Sequence, residues 1–196
     1  MEITENIIKQ FRDGIFALRT RRFGTVAELM IEVLYNFEKS QNQFHDRFDD
    51  SNNNRVEIKF STVMKENEEK ISRENVIKQI IKANLANRAV KSADIYDTSF
   101  DCNIQQVKIM EFDILYYGLF FADKIAIFQI KSEDVINIKG YSDFQHKGNK
   151  GEGQFHLNKD TIKFHFDNYF IKWISYEELY KIFGKCGRIV CTKSRE

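Results

Sequence analysis

The residues with the clearest chemical potential lie in the segment HDRFDDSNNNRVEIKF. Glu57 and Lys59 stand two apart in a run that alternates apolar and charged residues, so a strand here would project both charges to one face. The segment predicts a β-hairpin, in which a carboxylate of the first strand would lie beside Glu57. Asp46 fits that strand best, and Asp49 and Asp50, nearer the turn, are the alternatives. Two carboxylates are what Mg²⁺ usually takes from a protein, together with waters and phosphate oxygens.

A lysine beside such a site has a defined chemical use. Lys59 would orient an attacking water and stabilise the negative charge of a phosphorane-like transition state. Taken alone, an E-x-K pair on a strand is usually a solvated ion pair of little energetic value. Glu28, in an apolar helix pattern earlier in the chain, is a further candidate metal ligand. It also stands three residues after Thr25, the spacing of a helix capping box, and both interpretations stay open.

The elements that must position these residues follow from apolar spacing. Residues 3–16 and 26–37 carry apolar side chains at helical period and predict two helices. Ser72 precedes a third such pattern, which predicts a helix of about five turns ending near Ala89. The runs EFDILYYGLFF and IAIFQI are nearly continuous in apolar residues and predict two strands at the centre of a sheet covered on both faces.

The last third of the sequence differs in composition from the rest. It predicts a Gly-rich loop, QHKGNKGEG, then a second hairpin, QFHLNKDTIKFHF, and an aromatic-rich segment, NYFIKWI. A final short helix is expected from Ser175, because Glu178 stands at the capping-box distance.

This order of elements resembles the PD-(D/E)XK nuclease superfamily, and within it the small homodimeric type II restriction endonucleases. The likeness covers most of residues 24–183 and consists of a helix with an acid, an acidic hairpin, an E-x-K strand, a long helix and two apolar strands. Glu57 and Lys59 match the second acid and the lysine of the family motif, and Asp46 matches the first acid. The proline that names the motif is missing. The resemblance implies an α/β (α+β) fold with a restriction-endonuclease-like core, a central mixed β-sheet flanked by helices.

The same resemblance implies the domain organisation and the activity. Residues 1–196 would form a single nuclease domain, with N-terminal helices at 1–40 as candidates for dimerisation, a catalytic core at 44–137, and a DNA-reading hairpin and C-terminal helix at 138–196. The implied activity is Mg²⁺-dependent, site-specific hydrolysis of phosphodiester bonds in double-stranded DNA by a homodimer. The alternatives are a structure-specific or repair nuclease of the same fold, and a non-catalytic DNA-binding domain.

Charge indicates where DNA would be met. The whole chain carries a net charge of +1, whereas residues 138–196 hold 11 basic and 7 acidic residues. A polyanion must therefore bind to a locally basic surface, and the C-terminal third has side chains of the kind that read base edges. The candidate base-reading residues are Lys147, Asn149, Lys150, Gln154, His156 and Asn158. Lys163 and Lys172 are candidates for phosphate contacts, and an ordinary solvated loop is the alternative for the whole stretch.

Other chemistries and locations fit less well. The histidines and the three cysteines show no zinc-site spacing, and neither a G-x-S-x-G motif nor a P-loop is present. An odd number of cysteines without C-x-x-C spacing favours a reducing compartment, and no apolar run is long enough to cross a bilayer. The absence of Pro and the abundance of Asn, Lys, Ile and Phe are typical of an A/T-rich genome, so we expect a cytoplasmic, microbial protein that does not enter membranes.

Overall fold

A computed structural model describes residues 3–66, 69–144 and 151–193, with side chains described as far as residue 185. This part of the chain contains five helices, eight strands and three short 3₁₀ segments. The helices are α1 (Glu5–Phe16), α2 (Thr20–Tyr35), α3 (Val76–Ile81), α4 (Ile162–Tyr169) and α5 (Tyr176–Lys193). The strands are β1 (Glu38–Lys39), β2 (Arg47–Asp49), β3 (Asn54–Thr62), β4 (Asp101–Val107), β5 (Ile114–Phe120), β6 (Lys124–Lys131), β7 (Gly153–Asn158) and β8 (Phe170–Ser175).

A central sheet of six strands carries the fold, in the order β1-β2-β3-β5-β6-β8. β3 and β5 run parallel, and the other neighbours run antiparallel. β4 and β7 form a separate antiparallel pair. The expected mixed sheet flanked by helices is therefore confirmed. Among the described residues, no helix is long and apolar enough to cross a bilayer.

Both faces of the sheet are covered, as the apolar runs of β5 and β6 predict. On one face, α1, α2 and α5 bury residues such as Ile31 and Leu179 against Phe120. On the other face, α4 and the β4–β7 pair bury Phe155 and Ile162 against the sheet. Parallel pairing of β3 with β5 is stable in this position because neither strand has to face water with its apolar side.

Most elements expected for the first two thirds of the chain are confirmed. α1, α2, the β2–β3 hairpin and the β5–β6 hairpin all lie where the sequence places them. The capping box at Thr25 is wrong, because α2 begins at Thr20 and the Thr25 hydroxyl donates to the Arg21 carbonyl inside the helix at 3.2 Å. The capping box at Ser175 is confirmed, since the Glu178 backbone N–H donates to Ser175 Oγ at 3.1 Å and the Ser175 N–H donates to Glu178 Oε2 at 2.7 Å.

The long helix expected after Ser72 is wrong. α3 spans six residues and buries none of them. Its isoleucines find no partner in the described fold, with Ile77 and Ile81 exposed by 73% and 76%. A helix gains most of its stability from burying one face, so a periodic pattern without a surface to cover extends for only a short distance. The chain instead turns into a 3₁₀ segment at Leu85–Arg88.

The second hairpin, QFHLNKDTIKFHF, is also wrong. Its first half is β7, which pairs with β4 about 50 residues earlier in the chain, and its second half is the helix α4. Asn158 Oδ1 accepts from the backbone N–H groups of Asp160 and Thr161, at 3.0 and 3.2 Å, and this turn redirects the chain into the helix. The DNA-reading hairpin expected within 138–196 is thus a strand followed by a helix.

Candidate active site

Asp46 lies close to Glu57, directly before the start of β2. Strands β2 and β3 pair Arg47 with Val56, and the Asp46 backbone N–H donates to the carbonyl of the same Val56 at 3.0 Å. The Asp46 carboxylate accepts from the backbone N–H of Ile58, the residue after Glu57, and its charge raises the pKa of Glu57. The structure therefore brings together the two acids that the sequence singles out.

β2 is short, and this exposes an edge of β3 beside the two acids. No described strand pairs with β3 on this side beyond Val56, although β3 continues to Thr62. The Asp46 side chain lies along this unpaired edge, and its Oδ2 accepts from the Ile58 backbone N–H at 2.9 Å. This bond fixes the Asp46 carboxylate beside the E-x-K strand, where a backbone donor would otherwise lack a partner.

The competing aspartates serve the turn. Asp49 accepts from the Ser51 backbone N–H at 3.1 Å and from the Asn52 side-chain amide at 2.8 Å. Asp50 is exposed in the turn itself. Asp46 is therefore the aspartate whose carboxylate the fold places beside β3 and Glu57.

Glu57 and Lys59 form an ion pair on the same face of β3. Glu57 is only 8% exposed, and burial raises the pKa of its carboxyl to about 7. The neighbouring Asp46 charge contributes to this rise, and Lys59 opposes it. Burial acts to lower the pKa of Lys59, but Glu57, Asp46 and Glu28 outweigh it, so that pKa lies above its ordinary value. The acid, acid and lysine set is electrostatically coupled.

Glu28 points from α2 toward this site. Burial raises the pKa of its carboxyl, the Asp46 charge raises it further, and Arg47 opposes the rise. Arg47 Nη1 donates to Glu28 Oε2 at 3.2 Å and Arg47 Nε donates to Glu32 Oε2 at 2.6 Å. Of the two interpretations of Glu28, the helix cap is thus excluded by the position of α2. The structure places the Glu28 carboxylate near Asp46.

Two residues near the site were not predicted from the sequence. Arg47 follows Asp46 directly and, with its side chain 8% exposed, holds Glu28 and Glu32 in place. Glu111 adds a further negative charge close enough to raise the pKa of Glu57. Arg47 could have been predicted, because side-chain alternation along the hairpin places it on the face toward α2. Glu111 could not, because it precedes β5 and comes near Glu57 only through the parallel pairing of β3 with β5.

Half of the candidate base-reading residues can be placed. Lys147, Asn149 and Lys150 lie outside the described residues. Gln154, His156 and Asn158 alternate with buried residues on β7 and share its outer face.

These three side chains already have partners within the chain. Gln154 Oε1 accepts from the Asn103 amide of β4 at 3.1 Å, and His156 Nδ1 lies 2.9 Å from Asp101. Asn158 holds the turn before α4.

The donor set suits a hard divalent cation of the Mg²⁺ class. Asp46 and Glu57 supply two adjacent carboxylates, and Glu28 lies nearby as a third. Within the described parts of the chain, no group of three or more Asp, Glu, His or Cys side chains is arranged closely enough to hold a metal ion by itself. Mg²⁺ does not require such a group, since it commonly binds through one or two carboxylates and keeps several waters. Asp46 and Glu57 would hold it, with Glu28 at greater distance.

Comparison of this chain with protein-family models, with curated proteins and with solved structures found no match.

Proposed function

We propose that this protein is a Mg²⁺-dependent endonuclease that hydrolyses phosphodiester bonds in double-stranded DNA, of the type II restriction class with a PD-(D/E)XK site. The observation that carries the proposal is Asp46 beside Glu57, with Lys59 paired to Glu57, at the uncovered edge of β3. This constellation of two carboxylates and one lysine is suited to phosphoryl transfer to water, in which negative charge develops on phosphate oxygens.

Each residue has a distinct role in this proposal. Asp46 and Glu57 would bind the cation, which supplies Lewis-acid stabilisation of the scissile phosphate. Lys59 orients the attacking water and donates to a developing phosphate oxygen. Arg47 is a positioning residue, since it ties Glu28 and Glu32 of α2 to the strand that carries Asp46.

The proposal extends to a homodimer that cuts both strands of a palindromic site. A twofold axis in the protein matches the twofold symmetry of a palindrome, so that each subunit cuts one strand. The base-reading surface would be the outer face of β7 together with residues 145–150, which lie outside the described parts of the chain. Gln154 and His156 offer donors and acceptors of the kind that base edges require.

The experiment is digestion of unmethylated duplex DNA by the full chain, with and without Mg²⁺, followed by sequencing of the ends. Discrete fragments that appear only with Mg²⁺ are expected, and EDTA should abolish them. Nicking without sequence preference, or cleavage only at branched or damaged DNA, would favour a structure-specific or repair nuclease. Absence of cleavage with retained DNA binding would favour a non-catalytic DNA-binding domain and contradict the proposal.

A further inference from the structure

A cavity of about 520 Å³ lies beside the candidate site, between the first three strands and the chain that joins β1 to β2. Its strand wall is one row of side chains, because the sheet register places Glu38 opposite Phe48 and Phe48 opposite Arg55. Glu57 projects from the same face as Arg55, two residues farther along β3. The cavity is thus on the face that carries Glu57, and its wall residue Arg55 stands about 7 Å from Glu57 along the strand.

The wall of this cavity is held rigidly. Arg55 donates to both Asp113 carboxylate oxygens, from Nε at 3.0 Å and from Nη2 at 2.8 Å. A third bond runs from Arg55 Nη1 to the Met110 carbonyl at 3.0 Å. The guanidinium group is therefore fixed in position before any ligand arrives, which lowers the entropic cost of binding one.

The side of the cavity formed by the connecting chain contains a buried polar group. His45 lines the cavity and is 8% exposed, and its Nδ1 is buried without a hydrogen-bond partner among the described residues. Its ring lies 6.3 Å from the Phe48 ring. A buried polar nitrogen without a partner costs free energy, so its persistence beside a cavity is typical of a binding site. Gln41 and Asn42 add side-chain amides to the lining, and Glu38 and Asp50 add two carboxylates.

We infer that this cavity binds one nucleotide of the DNA strand being cut, the one next to the scissile phosphate, with its base against Phe48 and His45 and its phosphate toward Arg55 and Lys39. The inference rests on the proposed nuclease function for the identity of the substrate. An aromatic ring accepts any base by stacking, and amide and imidazole groups hydrogen-bond base edges. A cavity of this volume is within the range that small-molecule sites occupy. Phe48 and Lys39 are therefore assigned to substrate binding.

The test uses the full chain, EDTA and the four deoxynucleoside 5′-monophosphates as probes, with the matching nucleosides alongside, in ligand-observed NMR. At least one monophosphate should bind with a dissociation constant below about 1 mM. Phe48→Ala should weaken this binding at least about fivefold, the lower end of what one base stack contributes. The control is Tyr96→Ala, an exposed aromatic near Lys163 that should leave binding unchanged.

A second variant keeps the test decisive if Phe48→Ala does not fold. Lys39 is exposed on β1, so Lys39→Glu should preserve the fold. It should weaken binding of the monophosphates and not of the nucleosides, while Lys131→Glu, an exposed charge reversal on β6, should weaken neither. The inference is overturned if no monophosphate binds at millimolar concentration, or if Lys39→Glu and any folded Phe48→Ala leave binding unchanged.

Failure of this inference and failure of the proposed function have different signatures. Monophosphate binding is measured in EDTA, so it depends on neither the metal nor DNA cleavage. If the chain binds nucleotide here and cuts no DNA, the cavity is a nucleotide site and the nuclease proposal is wrong. If the chain cuts DNA with unchanged KM in both cavity variants and binds no monophosphate, only the cavity inference is wrong.

Discussion

Glu57 is a buried carboxylate that is paired with Lys59 and has other acids nearby. Asp46, Glu28 and Glu111 all contribute negative charge around the Glu57–Lys59 pair. Burial of a carboxylate costs free energy unless cations and hydrogen bonds compensate it. Such an arrangement is typical of functional sites, where stability is lower than the fold could otherwise reach.

The first prediction concerns the three proposed catalytic residues. Asp46→Asn, Glu57→Gln and Lys59→Met should each lower DNA cleavage at least about 100-fold, because each removes charge that acts on the transition state. Asp46→Asn retains an oxygen that can accept from the Ile58 N–H, so its fold should be preserved. Initial rates on plasmid DNA measure the loss.

The control for these variants is Glu133→Gln, an exposed carboxylate whose loss should leave cleavage unchanged. Duplex binding in EDTA should persist or strengthen in Asp46→Asn and Glu57→Gln, because negative charge facing phosphate has been removed. Normal cleavage by Asp46→Asn, combined with loss in Asp49→Asn or Asp50→Asn, would show that the first acid is assigned wrongly.

The second prediction concerns His165, which is fully buried and hydrogen-bonded through Nδ1 to the Tyr117 hydroxyl at 2.9 Å. Burial lowers its pKa from 6.5 to about 4. The unfolded chain therefore binds a proton between these values that the folded chain does not. The contribution to the free energy of unfolding is constant above pH 6.5 and falls toward pH 4 by roughly 3 kcal/mol.

Urea unfolding at pH 7 and pH 5 measures this contribution. His165→Asn retains a partner for the Tyr117 hydroxyl and cannot titrate in this range, so its unfolding free energy should fall less between the two pH values. Equal falls in the natural chain and the variant would mean that His165 does not carry the effect. Other groups that titrate in this range affect both proteins and cancel in the comparison.

At the scale of elements, the parallel β3–β5 contact decides the packing of the sheet. Gly118 lies in the middle of β5, opposite Phe60. A Cβ at this position would overlap the Phe60 ring and the Ala126 carbonyl oxygen. A side chain is thus excluded here by the close approach of neighbouring strands.

The third prediction compares two glycine substitutions. Gly118→Ala should lower the free energy of unfolding by about 1–3 kcal/mol, the usual cost of overpacking. Gly24→Ala, in the interior of α2, should raise it by about 0.5–1 kcal/mol, because a Cβ there meets nothing within 4 Å and alanine favours the helix. Denaturant unfolding measures both. A stabilising Gly118→Ala would contradict the packing of β5.

At the scale of the whole molecule, α1 and α2 serve mainly as the layer behind the sheet. Ile15, Phe16 and Ile31 are buried there against the sheet. α2 nevertheless leaves Leu29 and Val33 exposed by 41% and 39%. These two residues are what remains of the expected interface on the N-terminal helices.

The fourth prediction concerns the proposed homodimer. The natural chain should sediment as a dimer, and the double variant Leu29→Glu with Val33→Glu should sediment as a monomer, because two charges cannot be buried unpaired in an interface. The control, Ile77→Glu with Ile80→Glu, changes the exposed face of α3 and should remain dimeric. A monomer both free and on cleaved DNA would exclude the dimer, and dissociation in the control alone would move the interface to α3.

The sequence by itself determined the elements whose pattern is local. Glu57 and Lys59 share a face because a strand alternates, and Asp46 comes close to Glu57 because a short polar turn joins the two strands of one hairpin. The covered sheet core was readable from the uninterrupted apolar runs of β5 and β6. In each case, the deciding interactions lie within about fifteen residues along the chain.

Tertiary structure decided what depends on distant partners. β7 pairs with β4 rather than with the segment that follows it, and that segment becomes α4 because its apolar face is buried against β6 and β7. The isoleucines of α3 have a helical pattern but no described surface to cover, so the helix ends early. Glu28 was ambiguous in the sequence and resolved in the fold, since only the packing of α2 against β3 and Arg47 shows which way its carboxylate points. A local pattern states which face of an element is apolar, but the partner that buries that face is chosen by the rest of the chain.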